Sequence, residues 1–286
     1  VAFDYNNPNH LAIDNPDTDL VVADLKGYWA MSEGDGLVAY DSSGEGNNGT
    51  INGATYTPAQ DTIPQLGMMD WVKSTPVADE VTLIQAPNNK GYDILGNALR
   101  LREHAFNLDG SGYAEIADDD SLDFGTGDFT LEAWVKYGFI HTGSGWNCIL
   151  GLGGIVDGTT SSYISSRDGA FRFQIGTTYI DSTPTLNIGE WYHIVGVREG
   201  SEMRFYIDKS QEVITQTSSQ TVTNSFVKNI GSDNGSSRRS KSIQDETKIY
   251  NRALTQKEIT QNYKAGINKH KASSSFSDDF SSDYGI

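Results

Sequence analysis

From residue 104 onward the chain repeats one pattern: short runs of alternating apolar and polar residues, each closed by a cluster of Gly, Asp, Asn or Ser. "FTLEAWVKY", "AFRFQIG", "EWYHIVGVREG" and "EMRFYIDKS" are the clearest of these runs. In "AFRFQIG", Phe171, Phe173 and Ile175 fall on one side, Arg172 and Gln174 on the other; Met203, Phe205 and Ile207 share a side in "EMRFYID". Successive side chains point to opposite faces of a strand, so a period of two means half-buried antiparallel sheet. Between the runs lie "LDGSG", "RDGA" and "REGS", whose Gly, Asp and Ser are turn formers. Many strands at this spacing predict an all-β, two-sheet antiparallel sandwich. One helix is expected, in "TQKEITQNYKAG": Thr255 and Glu258 have capping-box spacing, Ile259 and Tyr263 lie one turn apart, and Gly266 is expected to end it.

Three segments break the pattern. Residues 1–24 read as an extended arm, since Pro8 and Pro16 exclude regular helix there. Residues 25–267 form the sandwich, interrupted at about 60–100 by an insertion with apolar content of its own, including "GMMDW". Residues 268–286 are a Ser- and Asp-rich tail. Arm and tail carry spaced anchors, such as Phe3, Tyr5, Phe276 and Phe280, that suit docking of an extended peptide on a neighbouring copy.

Charge and cysteine usage remove several function classes. Asp and Glu number 38 against 21 Lys and Arg, a net charge of −17, which repels a phosphate backbone, so no nucleic-acid partner is expected. The single cysteine, Cys148, forms no intrachain disulfide and belongs to no zinc spacing. No apolar run approaches the roughly eighteen residues of a membrane-spanning helix.

Four stretches, in order, resemble laminin-G-like, concanavalin A-like jelly-roll domains: "LKGYWAMSEGDGLVAYDSSGEGNNGTINGATYTP", "AFNLDGSGYAEIADDDSLDFGTGDFTLEAWVK", "GEWYHIVGVREGSEMRFYIDK" and "DETKIYNRALTQKEI". The resemblance implies a jelly roll whose first and last motif strands are neighbours, acting in an extracellular setting. Where relatives carry an Ile-Asp-Glu-Val-Arg-Ile-Tyr run, this chain has Gln244-Asp-Glu-Thr-Lys-Ile-Tyr250, polar at the two positions, Gln244 and Thr247, where apolar residues are expected. Phrases around "LIQAPNNKGYDILGNALRL" are similar to marine bacteriophage structural proteins.

Candidate sites follow from residue chemistry. The loop "DSSGEGNNGT" offers Asp41, the Asn47 and Asn48 amides and backbone carbonyls, the hard oxygens Ca²⁺ takes. With Asp245 brought close by the neighbouring end strands, Asp41, Asn47 and Asp245 are the candidate ligands of a structural calcium; the alternative is a turn in which Asp41 caps its own backbone. "DDDSLD", Asp118 to Asp123, reads as a solvated connection. The Glu-x-Asp-x-Glu pattern of β-glucanases begins at Glu33-Gly-Asp35 but meets Leu37 at its third position. His104, His141, His193 and His270 have no Ser or Cys nucleophile motif beside them, so no enzyme is expected. For sugar recognition Trp134 and Trp191 are expected in the core, leaving Trp146, Trp71, Tyr163 and Tyr179 as candidate ligand-binding aromatics. The function expected is a non-catalytic extracellular glycan-binding module. The alternative is a structural subunit of a virion, fibre or filament, exchanging its terminal arm between copies.

Overall fold

A computed structural model describes residues 21–58, 91–92, 98–99, 104–138, 145–153, 160–183, 186–211, 215–233 and 238–270. Trp71, most of the insertion, the terminal anchors and residues 271–286 of the tail lie outside these residues, as do the expectations placed on them.

The alternating runs are strands. The first are β1 (Leu25–Trp29), β2 (Val38–Ala39), β3 (Gly49–Asn52) and β4 (Thr55–Pro58), followed by β5 (Gly91–Tyr92) and β6 (Ala98–Leu99), which pair with each other. Then come β7 (His104–Asp109), β8 (Tyr113–Ile116), β9 (Phe129–Tyr137), β10 (Asn147–Leu152), β11 (Ser162–Arg167), β12 (Ala170–Ile175) and β13 (Thr178–Asp181). The rest are β14 (Trp191–Glu199), β15 (Glu202–Ile207), β16 (Ser210–Gln211), β17 (Gln216–Thr217), β18 (Lys228–Ile230) and β19 (Lys241–Tyr250), before helix α1 (Gln256–His270).

They form two antiparallel sheets. One runs β16-β15-β14-β9-β19-β7-β4, with β1 also on β19 and β17 on β15; the other runs β13-β12-β11-β10-β18-β8-β3-β2. The pairing of β1 with β19, Trp29 opposite Thr247, joins the ends of the domain as the resemblance implied. Phe171, Phe173 and Ile175 of β12 meet Met203 and Phe205 of β15 and Leu131 and Ala133 of β9 in the main core, and Phe173 and Phe205 stack at 6.1 Å. The alternation read from the sequence is thus the inside and outside of the sandwich. Gly196 on β14 lets the sheets close here, because a Cβ on it would lie 2.4 Å from the Phe173 ring.

A second layer covers the outer face of the first sheet. Helix α1 begins with the expected capping box: the Glu258 amide donates to Thr255 Oγ1 and the Thr255 amide to Glu258 Oε2. It does not end at Gly266. That glycine is interior, and its missing Cβ accommodates Trp134, whose Nε1 would sit 2.5 Å from it. Close packing against an indole, not termination, is what this glycine supplies. Ile259, Asn262, Tyr263, Gly266 and His270 form the helix stripe buried on the sheet.

Candidate functional site

Polar residues beneath α1 build a closed network. Glu132 of β9, His193 of β14, Lys248 of β19 and Asn262 of α1 are all fully buried. Glu132 Oε1 accepts from Lys248 Nζ at 2.9 Å and lies 3.0 Å from His193 Nε2, while Oε2 accepts from Asn262 Nδ2 at 2.7 Å. Burial by itself would raise the Glu132 pKa; the Lys248 and His193 charges and hydrogen bonds outweigh it and hold the carboxyl at about 2. Lys248 is itself raised, the attraction of Glu132 and Glu246 exceeding the cost of burial. Lys248, which stands where relatives carry Arg, has its buried partner in Glu132, while the two positions where relatives are apolar, Gln244 and Thr247, are buried polar residues. His193 of β14 is thus bonded across to the neighbouring strand β9.

Trp134 and Trp191 are core residues, as expected. Trp134 stacks on His270 at 4.3 Å and on Tyr263 at 5.6 Å. His270 presents Nε2 to Asp245 Oδ2 at 2.9 Å and Nδ1 to the Gly266 carbonyl at 2.8 Å.

Of the candidate calcium ligands, Asp41 and Asn47 meet in the loop, while Asp245 Oδ2 is bonded to His270 under the helix. Within the loop, Asp41 accepts at Oδ1 from the amides of Tyr28 and Ser43, and at Oδ2 from Ser43 Oγ and the Asn47 amide. Asn47 donates its side-chain amide to the Lys26 carbonyl and Ser121 Oγ, and its own carbonyl accepts from Trp29 Nε1. The oxygens a cation would need are turned onto N–H and O–H donors, so the loop fits a self-capped turn better than a metal cage. Among the described residues no three His, Cys, Asp or Glu side chains are grouped for a metal. In the "DDDSLD" stretch Asp119 caps a 3-10 turn at Asp120–Leu122, while Asp118 and Asp123 lie 2.5 and 3.6 Å from Nζ of buried Lys228 on β18.

The candidate aromatics meet on the outer face of the second sheet. Because Phe173, Ile175 and Ile180 point inward, the register places Tyr163, Gln174 and Tyr179 in one outward row and Ser165, Arg172 and Asp181 in the next. Trp146, just before β10, stands beside them. Three guanidinium carbons surround its ring: Arg172 at 4.6 Å, Arg167 at 5.1 Å and Arg238 at 5.2 Å from the centroid. Arg172 also lies 3.5 Å from the centroid of Tyr179, which is 45% exposed. Its Nε and Nη2 grip Asp181 Oδ1 and Oδ2 at 2.6 and 2.7 Å, a two-point contact that fixes the guanidinium plane.

Tyr163 is the exception. It is 2% exposed, and burial pushes its pKa up to about 12 against the pull of Arg238. It belongs to the floor of the platform, not its contact surface. Cys148, also buried, has its thiol pushed up by desolvation and by Asp233, so it is no nucleophile. The sequence reading missed the arginines. Alternation put Arg172 on the outer face; its pairing with Asp181 needed the β12–β13 register, and the placing of Arg238 needed the chain's return across β10, where its carbonyl accepts from the Cys148 amide at 2.8 Å.

The platform thus has aromatic faces, a fixed guanidinium and exposed edges, a set suited to stacking on a ring and hydrogen bonding its substituents. The family model described as the concanavalin A-like lectin/glucanases superfamily matches residues 108–260, more than half of the chain and every strand of the platform. The chain belongs to this superfamily. No curated protein sequence matches it. Among solved structures, the binding domain of Paraclostridial Mosquitocidal Protein 1 is similar at TM-score 0.57 and 14% identity, over 85% of this chain and 52% of that one. Trypanosoma rangeli sialidase is similar at TM-score 0.54 and 17% identity, over 87% of this chain and 34% of the sialidase. Domain 4 of AbnA, a GH43 extracellular arabinanase from Geobacillus stearothermophilus, in complex with arabinotriose, is similar at TM-score 0.54 and 17% identity, over 84% of this chain and 98% of that domain. The chain therefore spans about half of the first of these structures and a third of the sialidase. At such identities the likeness is one of fold.

Proposed function

We propose that this superfamily member is a non-catalytic glycan-binding module acting outside the cell, with the Trp146–Arg172–Tyr179 platform as its binding surface. The observation that carries the reading is convergence: Trp146 before β10 and Tyr179 of β13, both candidates by residue type, share one outer face with Arg172 of β12, whose guanidinium Asp181 fixes. Apolar C–H faces of a sugar suit Tyr179 and Trp146, and Gln174 adds an amide in the same row. A domain of similar fold and nearly full overlap carries arabinotriose in its structure, which supports the ligand class without locating the site.

The chemistry of the rest of the molecule supports a binding role over hydrolysis. Glycoside hydrolysis needs two carboxyl groups flanking the bond, roughly 5–9.5 Å apart. The fully buried carboxylate Glu132 is sealed under α1, and the platform carboxylates Asp181 and Asp168 are each held by an arginine. The test is a glycan array probed with the intact protein and with Trp146→Ala and Tyr179→Ala. Binding that falls at least about five-fold in each variant, at unchanged melting temperature, is expected from the loss of an aromatic contact. Glycan binding indifferent to both variants moves the site elsewhere. Release of reducing sugar from a bound polysaccharide overturns the non-catalytic reading.

A further inference from the structure

In a chain carrying 38 acidic and 21 basic residues, three arginines from separate segments gather around one aromatic ring. Their state of pairing differs. Arg167 pairs with its neighbour Asp168 at 3.0 Å, both well exposed, an arrangement that water screens to little net value. Arg172 is saturated along one edge, Nε and Nη2 on Asp181, and among the described residues its Nη1 has no acceptor. Arg238 has a neutral hydrogen-bond partner in the Tyr163 hydroxyl and a distant carboxylate: Asp233 is 3.8 Å from its Nε, beyond the 2.7–2.9 Å of a charge-assisted hydrogen bond. Asp233 is 2% exposed and held in the fold, whereas the Arg238 side chain keeps 29% of its surface. Arg238 itself sits at φ 48, a backbone conformation that non-glycine residues adopt rarely.

Two guanidiniums with donors to spare therefore border Trp146, and one of them lies on the face of exposed Tyr179. A neutral sugar would use the aromatic faces and leave these donors to water. A sugar with an oxyanion would use both, because guanidinium N–H groups in a fixed fork match the geometry of a carboxylate or sulfate. We propose that the ligand of this platform is an acidic saccharide, its ring against Tyr179 and Trp146 and its anionic group on Arg238 and the Nη1 edge of Arg172. The inference rests on the glycan-binding reading and narrows it to a charge class.

The experiment is a glycan array holding neutral, carboxylated and sulfated saccharides, followed by titration of polygalacturonate against its methyl ester, which keeps the chain and removes the charge. Acidic saccharides are expected among the binders and neutral ones not, with affinity at least ten-fold lower for the ester than for the free acid and falling as salt rises. Arg238→Gln is expected to weaken acidic binding about ten-fold while leaving the melting temperature in place, and Arg238→Lys to recover part of it. The carboxylated and sulfated arms identify which oxyanion the fork takes. Binding confined to neutral glycans, or acidic binding untouched by Arg238→Gln and Arg172→Gln, overturns this inference and leaves the glycan-binding reading intact. An array with no binder at all overturns both.

Discussion

Replacing Glu132 by Gln keeps the shape of the side chain and removes the charge that holds Lys248 under the helix. In the intact protein Glu132 moves from an ordinary 4.5 to about 2 on folding, and at 1.36 kcal/mol per unit this linkage is worth about 3 kcal/mol. Breaking a buried ion pair by deleting one partner costs about 3–5 kcal/mol, because the other charge is left in a place water cannot reach. Glu132→Gln and Lys248→Met should therefore each lower stability by about 3–5 kcal/mol in guanidinium titrations, with Tm falling by roughly 10 °C. The double variant should lose much less than the sum, since Gln and Met of similar volume leave neither charge of the pair buried without its partner. The folded pKa of Glu132 is depressed, so its contribution is complete above pH 4.5 and is lost as pH falls toward 2; the Gln variant should show a flatter acid limb across that window. Single variants within 1 kcal/mol of the parent, or strict additivity in the double, would refute the argument that these charges depend on one another.

Three further substitutions test the packing account. Gly266→Ala should destabilise the protein by about 1–3 kcal/mol by denaturant titration, although Ala is the better helix former by about 1 kcal/mol, because its Cβ would meet Trp134; a more stable variant would mean that the contact is slack. Arg198 is 1% exposed, and its guanidinium donates to the carbonyls of Gly200, Gly125, Gln220 and Ser218, so Arg198→Met should cost about 2–4 kcal/mol in the same assay by leaving carbonyls unpaired. Asp41→Ala should cost about 1–3 kcal/mol through its four donors, while EDTA should leave Tm unchanged; a large fall with chelator would restore calcium to this loop.

Much of the sandwich was legible because its signal is local. The side on which Phe173, Arg172 and Phe205 fall depends only on counting by two, and the structure places the aromatics inside and Arg172 outside. The capping box at Thr255 was read correctly for the same reason. Gly266 misled because a glycine ends many helices, and only the position of Trp134, more than a hundred residues earlier, shows why one sits in mid-helix. The platform was half legible. Residue type and position outside the common motifs singled out Trp146, and Tyr179 shares its face, but Tyr163 is buried because its strand β11 is interior and Arg238 bonds to it, whereas Tyr179 lies on the edge strand β13. Asp245 illustrates the same limit: neighbouring strands bring backbones together, yet the irregular register between Asp245 and Lys248, with Glu246 at φ 45, decides which face each side chain takes.

The central claim is that a glycan sits on the outer face of the second sheet, against Trp146. Five tryptophans give five indole N–H groups, and Trp29, Trp134 and Trp191 are buried in other parts of the domain. In ¹⁵N-labelled protein, with the Trp146 signal assigned by Trp146→Phe, titration with polygalacturonate or the strongest binder from the array should move the Trp146 indole resonance and leave the signals of those three in place, and Tyr179→Ala should shift the midpoint to higher concentration. Saturable binding of that glycan with the Trp146 signal unmoved would contradict the account.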